Sequence, residues 1–180
     1  MNLKQEFEAI LEEYGHYVLL VHSDKKTRCS CFDKKTQEAD RECPVCFGLG
    51  YVPKIEAKLT REVDSTLPDS LIMIEKAGNF GGMSVPGRYY YFKADTSIRE
   101  ADLIVDVEWR EDGRPYYANG GIYEVSHIDP NRFRNGEHIF YKVHCKIEPI
   151  EKQIRGLRIT ESSGVVNYEI AAEGGILDGQ

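Results

Sequence analysis

The chain has 180 residues, 41% hydrophobic and 29% charged, which is the ordinary range of a globular protein with one main domain and a core of its own. Its apolar runs, such as Tyr17 to Val21 and Leu103 to Val105, are too short to cross a bilayer, and Met1 is followed by no signal-type hydrophobic stretch; the expectation is a chain made and kept in a cytoplasm, with no membrane partner. A formal net charge of −7 removes any global attraction to nucleic-acid phosphates, and the one dense basic stretch, Lys25 to Arg28 with Lys34 and Lys35, is interleaved with Asp24, Asp33, Glu38, Asp40 and Glu42.

Residues 3 to 14 place Leu3, Phe7, Ile10, Leu11 and Tyr14 on one side at helical spacing, with Asn2 as cap and Gly15 as stop, so an amphipathic helix packed on its own domain is expected there. Tyr17 to His22 reads as a strand leading into a cysteine segment. Beyond that segment Lys54 to Val63 alternates, with Ile55, Ala57 and Leu59 on one face and Lys54, Glu56 and Lys58 on the other. Further strands are predicted at Leu71 to Glu75, Tyr89 to Lys93, Leu103 to Arg110, Gly121 to Ile128 and Ile139 to Ile147. The connections carry turn chemistry at Asp112-Gly113 with Pro115, Asn119-Gly120-Gly121, Asp129-Pro130-Asn131 and Asn135-Gly136.

Ala77 to Gly87, with Gly78, Gly81 and Gly82, reads as a long loop without the lysine of a phosphate cradle. The last thirty residues carry five glycines around one strand, Val165 to Ile170, and are expected to form an arm or a loosely docked tail. The fold class that follows is mainly β (α+β): a small antiparallel β-barrel or sandwich with an N-terminal helix and a small knuckle bearing four cysteines. The domain reading is 1–22 for the helix and first strand, 23–53 for the metal-binding subdomain, 54–150 for the β domain and 151–180 for the arm.

Five cysteines are present; Cys29, Cys31, Cys43 and Cys46 fall within eighteen positions, while Cys145 lies far off in an alternating strand, a distribution unlike a secreted disulfide framework. The spacing is Cys29-x-Cys31, eleven residues, then Cys43-Pro44-Val45-Cys46-Phe47-Gly48-Leu49-Gly50. Four soft ligands in two pairs suit a tetrahedral zinc ion, and the glycines would let the backbone turn tightly so that amides point at sulfur. All four positions would then be filled by protein, which makes the expected Zn2+ structural rather than catalytic. The competing readings are reduced buried cysteines, a pair of disulfides, a redox Cys-x-x-Cys, or His22 in place of one thiol.

No enzyme is expected: no nucleophile elbow or metalloprotease motif occurs, Asp106, Glu108, Glu124 and Asp129 give no sign of sharing a pocket, and His127 and His144 read as ordinary sheet residues. The aromatic groups Tyr89-Tyr90-Tyr91-Phe92, Trp109, Tyr116-Tyr117 and Phe133 suit core packing and protein interfaces better than base stacking in so acidic a chain.

An N-terminal helix, Arg28-Cys29-Ser30-Cys31, then Cys43-Pro44-x-Cys46-x-Gly48-x-Gly50-Tyr51 and a small β domain resemble the zinc-bearing neck proteins of tailed bacteriophages, of the head-tail connector or head-closure type. Ile98-Arg99-Glu100-Ala101-Asp102-Leu103-Ile104 is similar to their Ile-x-x-Gly-Asp-x-Ile turn, with Ala101 in place of the glycine, and Tyr123 to Pro130 followed by Tyr141-Lys142-Val143 is similar to the hairpin after it. The resemblance covers residues 1 to 148, and its one sharp motif, CxxCxGxG, also occurs four times over in J-domain co-chaperones, whereas this chain has it once and lacks their His-Pro-Asp triplet. It implies a structural protein of the virion, assembled in the host cytoplasm as a ring of copies between portal and tail. The implied partners are a portal or adaptor protein, tail proteins, and the DNA passing through the channel. The alternative function is a zinc-ribbon module that binds nucleic acid or another protein inside a cell.

Overall fold

A computed structural model describes residues 3–23, 25–46, 48–65, 87–111, 113, 115–116, 121–133, 136–147, 153–154, 157–162 and 165–170. Helix α1 (Leu3–Tyr14) ends where Gly15 donates its N–H to the Leu11 carbonyl at 2.8 Å. A side chain at Gly15 would collide with the carbonyl oxygens of Leu11 and Thr60, so the chain reverses here only because this residue has no Cβ. The apolar stripe of the helix divides. Leu11 is fully buried and Phe7 stacks on Phe140 with ring centroids 4.5 Å apart, whereas Leu3, Ile10 and Tyr14 are exposed. The expected cap, Asn2, lies outside the described residues.

The remaining elements are strands: β1 (His16–Val21), β2 (Ile55–Ser65), β3 (Gly87–Lys93), β4 (Leu103–Val105), β5 (Glu108–Trp109), β6 (Pro115–Tyr116), β7 (Ile122–Arg132), β8 (His138–Ile147), β9 (Gln153–Ile154), β10 (Leu157–Ser162) and β11 (Val165–Ile170). Six of them close into an antiparallel barrel in the order β1-β2-β3-β8-β7-β4. Closure leaves the barrel itself without an unpaired edge, which is the physical advantage of the barrel over the sandwich, the two architectures expected from the turns and short alternating strands.

Contacts gather into two compact units. One consists of Met1–His16, Leu59–Glu100 and Tyr123–Glu148 and contains α1, β3, β7 and β8. In it β3 pairs with β8 from Gly87↔Lys146 to Lys93↔Phe140, and Tyr90, Phe92, Tyr123, Val125, Val143 and Cys145 are buried. The other consists of Tyr17–Lys58, Ala101–Ile122 and Pro149–Gln180. Its core is Leu19, Val21, Ile55, Leu103, Val105 and Ile122, with Leu19↔Val105 and Val21↔Leu103 paired across β1 and β4.

Three expectations are corrected. Asp129-Pro130-Asn131 is no turn: β7 runs through it to Arg132, and the hairpin turns later, where Gly136 at φ +83° donates to the Phe133 carbonyl. Proline is tolerated within a strand beside a bulge, and the β7–β8 register slips between Asn131 and Arg132. The single strand expected over Leu103 to Arg110 is two, β4 and β5; the second pairs with β6 around Gly113, which sits at φ +76°. The last thirty residues contain more than one strand: β11 is present, and it pairs with β10 from Leu157↔Ile170 to Ser162↔Val165, with β9 on the far side of β10. The strand expected at Leu71 to Glu75, the loop from Ala77 to Pro86 and the turn at residues 119–120 lie outside the described residues.

Candidate metal centre

Residues 23–53 leave the barrel at the end of β1 and return at the start of β2. The entry and exit are tied together, since the His22 N–H donates to the Lys54 carbonyl at 2.9 Å and the Val52 N–H donates to the Thr27 carbonyl at 2.9 Å. Between these points the sequence dictates a series of tight turns. Asp33 and Asp40 accept hydrogen bonds from the amides two residues on, Lys35 at 2.7 Å and Glu42 at 2.9 Å, which is the turn-forming habit of this side chain. Gln37 takes a left-handed conformation at φ +59° in the small hairpin bridged at Asp33↔Glu38.

The Cys29 N–H donates to the Gly50 carbonyl at 3.1 Å, beside the bridge Arg28↔Tyr51. In the knuckle, Gly48 and Gly50 adopt φ +83° and +77°, a region that side-chain-bearing residues enter at a cost. A Cβ at Gly50 would also lie 3.0 Å from the Phe32 ring, which is itself covered by the Arg28 guanidinium at 4.2 Å. Both glycines thus make the tight turn predicted for them, and at Gly50 the close approach of Phe32 adds a second reason for the missing side chain.

The turns bring all four predicted cysteines together. Their sulfur atoms lie within 4.8 Å of one another, with Cys29 Sγ to Cys43 Sγ at 3.7 Å and Cys31 Sγ to Cys46 Sγ at 3.4 Å. Four thiolates about 2.3 Å from a central ion stand about 3.8 Å apart along the edges of a tetrahedron, so this arrangement fits a tetrahedral metal ion. Cys29, Cys43 and Cys46 are buried, and Ala39, Val45, Leu49 and Val52 pack around them, which limits the access of water.

Backbone amides aim at the sulfurs. The N–H groups of Cys46 and Val45 pull the Cys43 thiol down to about 7, because they stabilise the thiolate. Desolvation and the neighbouring Cys46 thiol push Cys31 up to about 12, and desolvation also raises Cys46 despite the Gly50 and Gly48 amides. Four sulfurs this close cannot all ionise without a cation between them; an ion that enters displaces their protons.

His22 is not part of this set. Its Nδ1 lies 3.1 Å from Asp102 Oδ2, and the other oxygen of that fully buried carboxylate accepts bonds from Ser23 N at 2.8 Å and Ser23 Oγ at 3.1 Å. His22 Nε2 is buried without a hydrogen-bond partner, 3.8 Å from Glu56 Oε2. Asp102, the aspartate of the Ile98 to Ile104 turn, thus fastens the root of the cysteine segment. Cys145 lies buried in β8. The structure also joins residues that alternation alone marks as ordinary: His127 and His144 both hydrogen-bond Asp129, at 2.9 and 2.6 Å. The only sequence trace of this is His127-x-Asp129 at strand spacing. No protein-family model and no curated protein matches the chain.

Proposed function

We propose that the chain is a structural protein of a tailed-phage neck, a subunit of a ring that connects or closes the head onto the tail, with a structural Zn2+ held by Cys29, Cys31, Cys43 and Cys46. The observation that carries this reading is the four-thiol knuckle inserted between the first two strands of a small closed barrel, the arrangement that the Cys-Pro-x-Cys-x-Gly-x-Gly resemblance implies. A second observation supports it: Ala101, standing where the resembling turn has glycine, is at φ +67°, the conformation for which glycine is the usual choice.

Zinc suits the donors because four thiolates in a tetrahedron favour a borderline-soft ion without geometric preference of its own. With every position taken by sulfur, no water is activated; the ion works by folding. It turns a charged loop with little apolar core into a rigid projection, and such a projection together with terminal elements is suitable material for heterologous contacts between ring subunits. The overall charge of −7 fits a wall past which DNA slides.

The test is assembly. Light scattering on the purified protein, alone and with portal-filled capsids, should show a ring-sized oligomer or retention on the capsid vertex. A monomer that ignores capsids and binds RNA or DNA in filter assays with steep salt dependence would replace this reading with that of a cellular zinc-ribbon module.

A further inference from the structure

The β7–β8 hairpin gathers two histidines and an aspartate, residue types that can ligate metals, remote in sequence from the cysteines. In a regular strand, side chains alternate, so a buried Val125 would send His127 and Asp129 inward as well. A bulge between Val125 and His127 breaks the alternation: Ser126 and His127 are both exposed, and the Ser126 hydroxyl donates to the His144 carbonyl at 2.9 Å. The extra residue places His127 directly opposite His144 in the register, with Asp129 two positions along on the same face.

Asp129 spans the two rings. Its Oδ1 is 2.9 Å from His127 Nε2, and its Oδ2 is 2.6 Å from His144 Nε2. The rings meet edge to face with centroids 5.7 Å apart, and the back of the His127 ring, Nδ1, faces Glu100 Oε1 at 3.6 Å. Tyr89 packs edge-on against His144, with centroids 4.7 Å apart, and steadies it from the other side.

We propose that His127, Asp129 and His144 bind a divalent first-row transition ion on the outer face of the hairpin. Two imidazoles and one carboxylate are a donor set such ions accept readily, with water filling the remaining positions. Binding requires each imidazole to carry its proton on Nδ1, and the Glu100 carboxylate, 3.6 Å from His127 Nδ1, favours that tautomer by its charge, the supporting role outer carboxylates commonly play. His127, half exposed, swings inward as the ion replaces the hydrogen bonds to Asp129. Lys142, opposite Asp129 in the register and with its ammonium over the Tyr89 ring at 4.1 Å, opposes binding by its charge.

The proposal is independent of the neck reading, and Co2+ distinguishes the two centres because only thiolate ligation gives intense sulfur-to-metal charge-transfer absorbance. Titrating the full chain with Co2+ should show one equivalent with that absorbance and a second without it. The second should disappear in His127→Ala, weaken about tenfold or more in His144→Gln, and weaken about tenfold in Glu100→Gln. His127→Ala removes an exposed side chain, and unchanged thiolate absorbance reports that the rest of the fold persists. A chain that takes no second equivalent, or one whose second equivalent survives His127→Ala as adventitious binding elsewhere, overturns the proposal.

Discussion

At Ala101 the backbone adopts φ +67°, where a Cβ crowds the following carbonyl at a cost of about 1–2 kcal/mol, while Asp102 beside it is fully buried and anchors Ser23. Replacing Ala101 by glycine relieves that strain but adds freedom to the unfolded chain, so the net gain should be about 0.5–1 kcal/mol, read from the urea midpoint; an unchanged or lower midpoint would show the conformation to be unstrained. Glu56 provides a test by acid. Burial pushes its carboxyl up, but hydrogen bonds and charge from Lys54 and Lys58 outweigh this and hold it at about 2, against an ordinary 4.5. A depressed carboxyl stabilises the fold above its unfolded value, and that contribution fades as pH falls from about 4.5 towards 2. Because Lys54 is largely exposed, the contribution is about 1–2 kcal/mol rather than the full shift, and Glu56→Gln should flatten the acid limb of the stability curve by that amount.

The knuckle is the element on which the metal centre depends. Gly50→Ala faces both a positive φ and the Phe32 ring, so it should cost about 1–2 kcal/mol and speed loss of the ion to a chelator, as followed by a zinc-sensitive dye. Equal release rates in the two proteins would mean that the turn relaxes freely. The same reasoning explains why this element was legible from sequence. Its two Cys pairs and glycines act on neighbours within a few positions, and local turn chemistry decides the outcome. The β7–β8 hairpin was not legible to the same degree. Pro130 reads as a turn by every local rule, yet pairing with β8 carries the strand past it, and only the bulge after Val125 decides which way His127 points.

An ion held by the four thiols would couple its binding to the folding of residues 23–53, and so to the melting of the whole molecule. A chelator added to the reduced protein should lower its melting temperature by several degrees or more and abolish protection of residues 23–53 from hydrogen exchange, with Cys43→Ser giving the same result without chelator. A melting curve indifferent to both would mean that the buried thiols need no ion. The apolar contacts of the barrel, with Leu19, Val21, Ile55, Leu103, Val105 and Ile122 in one core, do not involve the cysteines, so strand content by circular dichroism should survive the loss.

The sequence by itself determined what arises from neighbours along the chain: the helix from Leu3 to Tyr14 and its stop at Gly15, the main barrel strands to within a few residues, and the four cysteines of the centre. Only the tertiary structure decided barrel closure, the splitting of the predicted strand at Leu103 to Arg110, the three-stranded sheet at the C-terminal end, the union of His22 with Asp102 and that of His127 with His144. These depend on register and on contacts between residues eighty and more positions apart, for which hydrophobic periodicity carries no information. Periodicity says which side of a strand is apolar; it does not say which strand lies opposite, or where a bulge reverses the faces.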